Sequence, residues 1–244
     1  MKVIIVGGHG KVSLRLAAIL SAKQGYSVSS IIRNADQSDD IKETGAKPVV
    51  LSLEDDDKSK FAEAFEGMDI VYFSAGAGGQ GGEERTKKVD YEGALKVSDA
   101  IELLQAKEKP RLILVSAVDI RNPDVIPPHY NEKDIELSER MRKAIPAYVH
   151  WKYEADKNLV KRTAFKWTIL RPGGLTLEPG KGKASIGRTH ITSPISRDDV
   201  ASVLALLAER PDASSLAIDL VGGDEDIPTA LDKMIKKGET DFLG

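Results

Sequence analysis

The chain has 244 residues, 41% of them hydrophobic and 30% charged, the balance of a folded globular domain and not of a disordered one. A formal net charge of −3 offers neither nucleic acid nor an anionic membrane an electrostatic footprint. With no cysteine, disulfides, thiolate zinc sites and cysteine nucleophiles are all excluded. No apolar run approaches the roughly 18 residues of a membrane span, and the start lacks the apolar core of a signal peptide. A soluble cytoplasmic protein is expected.

In chain order, Val3 to Val6 is an unbroken apolar run, as in a strand covered on both faces. From Ser13 to Gln24, Leu14, Leu16, Ala17, Ala18 and Leu20 give a helical pattern that Gly25 closes. Strands are expected at Ser27 to Ile32, Pro48 to Leu53, Ile70 to Phe73 and Arg111 to Ser116, with a helix from Thr86 to Ala106 before the last. A long helix from Ala147 to Arg162 precedes a strand from Lys166 to Arg171. A further helix, Arg197 to Glu209, precedes a strand from Ala217 to Val221. Strand and helix alternate throughout, which predicts an α/β fold with a doubly wound parallel sheet, the Rossmann arrangement. Residues 1–244 read as one domain with a small C-terminal extension on the substrate side.

Two segments break the rhythm. Gly76 to Gly82 holds five glycines in seven residues and reads as a flexible loop after the fourth strand. Asn122 to Pro146, with four prolines and many charges, reads as an insertion after the fifth. Both start at carboxyl ends of strands, the edge where open α/β sheets bind ligands.

The turn Gly7-Gly8-His9-Gly10-Lys11-Val12-Ser13 lies between the first strand and the first helix. Gly7 allows a tight turn, and Gly10 lets a pyrophosphate approach the backbone. The helix amino terminus then supplies free N–H groups and partial positive charge. Gly7, Gly10 and Ser13 resemble the GxxGxxG pattern of the short-chain dehydrogenase/reductase superfamily, in its extended and atypical branches, with Ser13 in the last glycine's place. After the second strand, where such folds put an acid for a ribose hydroxyl, this chain has Arg33 and Asn34. A guanidinium binds phosphate through paired charged hydrogen bonds, and Lys11 adds a second cation, so NADP is the expected cofactor.

Ser74-Ala75-Gly76 is similar to the superfamily's Asn-Ala-Gly turn beside a cofactor ribose, and Leu53 stands where an apolar residue cups the adenine. Tyr148 and Lys152 form a YxxxK pattern, one helical turn apart on a shared face. In a hydride-transfer reductase the tyrosine protonates the alkoxide. The lysine lowers its pKa from about 10 and holds the nicotinamide ribose. Ser116 would bind the substrate carbonyl, and by resemblance the three match the superfamily's Ser/Tyr/Lys set. The 31 residues between Ser116 and Tyr148 exceed the superfamily's usual spacing.

Thr168-Ile169-Leu170-Arg171-Pro172-Gly173 resembles a stretch of atypical members similar to NmrA and biliverdin reductase B, in which Pro172 would turn the chain beside the nicotinamide. Ile195 to Ala201 is similar to the family's helix start, where Ser196 or Asp198 is a cap. The four histidines lack helical ligand spacing, so no metal site is expected. The acidic run Glu54 to Asp57 reads as a solvated loop. The resemblance implies an NADPH-dependent reductase whose small-molecule substrate is a carbonyl, quinone, flavin or similar conjugated acceptor. The alternative it implies is a non-catalytic NADP(H)-sensing regulator of the NmrA type, which binds a protein partner. A sugar-nucleotide epimerase is disfavoured because only 73 residues follow Arg171.

Overall fold

The structure, a computed structural model, describes residues 1–78 and 81–244. Its first half runs β1 (Lys2–Val6), α1 (Lys11–Ser21), β2 (Ser27–Ile32), α2 (Ser38–Glu43), β3 (Lys47–Val50), α3 (Lys58–Phe65) and β4 (Ile70–Phe73). There follow α4 (Gly82–Thr86), a π-helical turn over Lys87–Glu92, α5 (Gly93–Leu103), β5 (Arg111–Val115), α6 (Glu132–Ala144), α7 (Pro146–Leu159) and β6 (Trp167–Pro172). The remainder is β7 (Leu175–Thr176), β8 (Lys183–Ile186), β9 (Ile195–Ser196), α8 (Arg197–Leu207), β10 (Leu216–Gly222), β11 (Glu225–Asp226) and α9 (Ile227–Lys237).

One nine-stranded sheet orders these as β11-β8-β10-β6-β5-β4-β1-β2-β3. The strands from β10 to β3 pair in parallel, and β8 and β11 close one edge antiparallel. Central β1 explains its own sequence: Val3 to Val6 are fully buried because helices cover both faces. On one face Leu16, Ala17 and Leu20 of α1 pack with Val200, Leu204, Leu231 and Met234 of α8 and α9. On the other lie Phe61 and Phe65 of α3, Val97 and Ile101 of α5, and Ala155 and Leu159 of α7. The winding reverses between β1 and β4, whose register sets Val6 beside Phe73. The crevice beyond that pair is where a ligand is expected.

The doubly wound fold matches the sequence, while several bounds move. The third strand ends at Val50 because Ser52 begins a turn that bonds Asp55 and Asp56. The helix expected from Thr86 starts at Gly82 and widens into the π turn, which joins α4 to α5. Part of the glycine-rich loop, residues 79 and 80, lies outside the described residues. The segment after the fifth strand contains α6, capped by a reciprocal Asn131 and Asp134 box.

Candidate functional site

The site begins at the turn between β1 and α1. Gly7 has φ +82°, and a Cβ there would lie 2.7 Å from the Ala75 backbone, so only glycine fits. A Cβ on Gly8 would lie 2.6 Å from that of Ser30 on β2. Gly10 differs, since its φ of −64° suits any residue. A Cβ there would meet the Gly7 carbonyl at 3.2 Å, Ser13 Oγ at 3.3 Å and the Ser74 carbonyl at 3.8 Å. No side chain caps α1, and its first turn carries no acid. Unpaired N–H groups and the positive end of the helix are therefore left beside a wall without side chains. That cradle fits a diphosphate.

The cradle opens into a cleft of about 310 Å³. Of the residues expected to bind cofactor, Gly7, Gly8, His9, Gly10, Arg33, Leu53, Ser74, Ala75 and Gly76 line it. His9 is fixed between Asp40 Oδ2 at 2.6 Å and Gln37 Nε2 at 3.2 Å. Five others do not line it, among them Lys152, which is buried beside β5. Lys11 is exposed outside the cleft, and Val12 is buried beneath the helix. The Asn34 side chain accepts the Asp36 N–H at 3.1 Å, which caps a short 3-10 turn. Pro172 is buried at the end of β6, its carbonyl taken by the Val118 N–H at 3.0 Å.

Arg33 lines the cleft 3.6 Å from Glu54, and Arg85 approaches the same carboxylate at 3.4 Å. Glu54, expected in a solvated loop, is thus a half-buried wall of the cleft between two guanidiniums. The three groups sum to one positive charge.

Ser116, Tyr148 and Lys152 gather at the carboxyl end of β5, apart from the cleft lining. Ser116 Oγ donates to Asp156 Oδ2 at 2.7 Å, with both residues buried. Lys152, also buried, donates to the Val115 carbonyl at 3.3 Å and pairs with Asp90 Oδ1 at 3.1 Å. Its Nζ stands 5.9 Å from the Tyr148 ring centre. Tyr148, in the first turn of α7, departs from the expected activation. Burial pushes its phenol up, and the Lys152 ammonium, already paired with Asp90, only partly opposes this. Burial also raises the Asp156 carboxyl to about 6, against the pull of Arg171, Ser116 and Lys152.

Three carboxylates escaped the sequence reading: Glu54, Asp90 and Asp156. Asp156 had a signal, since it continues the Tyr148, Lys152 face at the next four-residue step. Asp90 had none. From the π turn it accepts the Ala77 N–H at 2.9 Å with one oxygen and holds Lys152 with the other. One side chain therefore connects the cleft wall to the lysine.

A doubly wound sheet with a glycine cradle at its switch point defines a Rossmann dinucleotide-binding protein. Residues 7–211 match the NAD(P)H-binding family, and the chain belongs to that family, which is oxidoreductase-like in character. A Schizosaccharomyces pombe protein of the UPF0659 group is 40% identical over 243 residues, covering 98% of this chain and 97% of its own. A Bacillus halodurans structure, provisionally named an NAD-dependent epimerase/dehydratase, is 32% identical with a TM-score of 0.79, covering 96% of this chain and 99% of that one. The Lactococcus lactis oxidoreductase ylbE is 26% identical with a TM-score of 0.78, covering 97% of each. Among the described residues no helix is long and apolar enough to cross a membrane, and no cluster of side chains could hold a metal ion.

Proposed function

We propose that the protein is an NADPH-dependent reductase of a carbonyl, quinone, flavin or similar conjugated acceptor. The observation that carries this reading is the Ala77–Asp90–Lys152 connection, which joins the cofactor cleft to the Ser116, Tyr148 and Lys152 cluster. The bound nicotinamide supplies a hydride. The chain's own residues supply placement and protons. Gly7, Gly8, Gly10 and the α1 amino terminus hold the diphosphate. Arg33 binds the 2′-phosphate, helped by the net positive charge it forms with Arg85 and Glu54. Lys152 holds a ribose hydroxyl, and Tyr148 provides the proton at the reduced oxygen. A phenol held above its ordinary pKa stays protonated at neutral pH, as a donor requires.

The name of the Bacillus halodurans relative, a chain of matching span, keeps an epimerase in view despite the short C-terminal part. The test is NADPH consumption with a panel of quinones, flavins and small aldehydes, run beside nucleotide-sugar epimerisation. Acceptor-dependent consumption that Tyr148→Phe largely abolishes supports the proposal. Tight NADPH binding without turnover of any compound would instead identify an NADP(H)-sensing regulator.

A further inference from the structure

A second cavity, of about 110 Å³, lies apart from the cofactor cleft, against the chain that leads from β5 to α6. Arg171 of β6 and Asp219 of β10 stand in register on neighbouring strands, and both line it. Asp241 joins them from the chain after α9, and His129 from the chain before α6. Buried polar atoms ordinarily have hydrogen-bond partners. Among the described residues, four atoms of this lining have none: Asp219 Oδ1, Asp241 Oδ1, His129 Nε2 and Arg171 Nε. Arg171 Nε lies 2.9 Å from Asp219 Oδ1, so the charges pair, but the N–H is not aligned for a hydrogen bond.

The remaining atoms of these groups are committed. Arg171 Nη1 donates to the Asp241 carbonyl at 2.8 Å, and Asp241 Oδ2 accepts the Asp219 N–H at 2.9 Å. His129 is hydrogen-bonded to the Thr189 backbone, and burial lowers its pKa, so the neutral ring offers Nε2 as an acceptor. Burial also raises the carboxyls of Asp219, to about 8, and of Asp241, against the pull of Arg171. At neutral pH Asp219 therefore keeps a proton, and the cavity floor carries no excess negative charge. At the rim, Arg188 pairs with Glu239, and Arg121 with Asp119.

This lining holds unpaired acceptors beside an unpaired donor, without a charge to neutralise. A carboxylate brings only acceptors and would leave three atoms unsatisfied. An ammonium brings only donors and would sit beside a fixed guanidinium. A hydroxyl both donates and accepts. We propose that this cavity binds a small polyol, whose hydroxyls donate to Asp219, Asp241 and His129 and accept from Arg171. The size fits three or four carbons, since 110 Å³ is the liquid volume of roughly four waters, too little for a hexose ring. Pro127, Pro128 and Leu243 supply an apolar wall for its C–H face. The assignment does not rest on the reductase reading, and its test needs no turnover.

The full chain is titrated with erythritol and, separately, with 1-butanol, butyrate and methylammonium at constant ionic strength, following backbone amide and arginine Nε–H signals by NMR. Saturable erythritol binding that moves the Asp219, Asp241 and Arg171 signals is expected. The other compounds should bind at least tenfold more weakly, because each leaves buried groups unpaired. His129→Phe keeps the edge-to-face contact with Tyr130 and removes the acceptor, and Asp241→Asn puts an amide in place of the carboxylate. Each should weaken erythritol binding about tenfold. His129 is only partly buried, so its variant should keep the wild-type thermal midpoint and decides the matter if Asp241→Asn does not fold. No saturation with erythritol would overturn the proposal, as would preference for any of the other compounds. Erythritol moving the Gly7 to Gly10 amides instead, or unchanged affinity in folded His129→Phe, would overturn it equally.

Discussion

Ser116 gives its hydroxyl hydrogen to Asp156, with Oγ 2.7 Å from Oδ2, where neither group is exposed to solvent. While Asp156 is ionised, Ser116 can offer a substrate only its lone pairs. A serine that must donate to a carbonyl needs the opposite arrangement, with the carboxyl group protonated and donating to the serine.

The Asp156 carboxyl is pushed up to about 6 by burial, opposed by Arg171 and Lys152. Carbonyl-reducing kcat/KM should therefore rise as pH falls through about 6. Asp156→Asn, whose amide donates permanently, should lack that limb and should be faster than wild type near neutrality. The sign for stability is the same. A carboxyl group whose pKa is raised in the folded state stabilises it at low pH, and that contribution is lost between about 4 and 6. The urea midpoint of wild type minus that of Asp156→Asn should shrink across this window. A pH-independent difference in both measurements would refute the assignment.

Glu54 draws on the same charge that a 2′-phosphate needs. Arg33→Ala should weaken NADPH binding by about 1.5 kcal/mol, roughly tenfold, and leave NADH nearly untouched. Glu54→Gln should strengthen NADPH binding. Fluorescence titration of both nucleotides checks the pair, and equal effects on the two would place Arg33 away from the 2′ position.

Gly7 and Gly10 should separate folding from binding. Gly7→Ala puts a methyl group 2.7 Å from backbone at a left-handed φ and should lower Tm markedly. Gly10→Val meets its nearest neighbours at 3.2 and 3.3 Å, so the fold should survive with little change in Tm. Nucleotide binding should be lost, because the branched side chain occupies the diphosphate cradle. Normal binding by Gly10→Val would move the cradle elsewhere.

Lys152 and Asp90 form a buried ion pair, and removing one partner leaves the other charge without solvent or counter-ion. Lys152→Met should cost about 3–5 kcal/mol in denaturant unfolding. Combining it with Asp90→Asn should restore most of that loss. Turnover measured on Lys152→Met alone would confound stability with chemistry, whereas the double variant separates them.

Local features of this protein were open to reading from residues alone. Buried β1, the turn at Gly7 and the Tyr148/Lys152 face are each written within a few neighbouring positions. What stayed hidden depends on chain brought from afar. Glu54 reaches Arg33 only once β3 lies beside β2, and Asp90 reaches Lys152 across 62 positions. α6 was obscured for another reason. Its charged, weakly apolar surface resembles a loop, and only the Asn131 and Asp134 cap marks its start. Arg33 lines the cleft, and the acid missing after β2 arrives beside it from the segment after β3.

The π turn over Lys87–Glu92 sets the phase of the whole helical wall beside the cleft. An i→i+5 turn accommodates one residue more than a regular helix does, and such turns gather at functional positions. Each helical residue advances about 100° around the axis. The extra residue lets Asp90 point toward Lys152 while Gly93, one turn later, still packs against Leu53, which a Cβ there would meet in ordinary contact at 3.4 Å. Deleting a single residue there would make a more regular helix with a broken alignment. Either the acid would rotate off the lysine, or the cleft wall at Leu53 would lose its support.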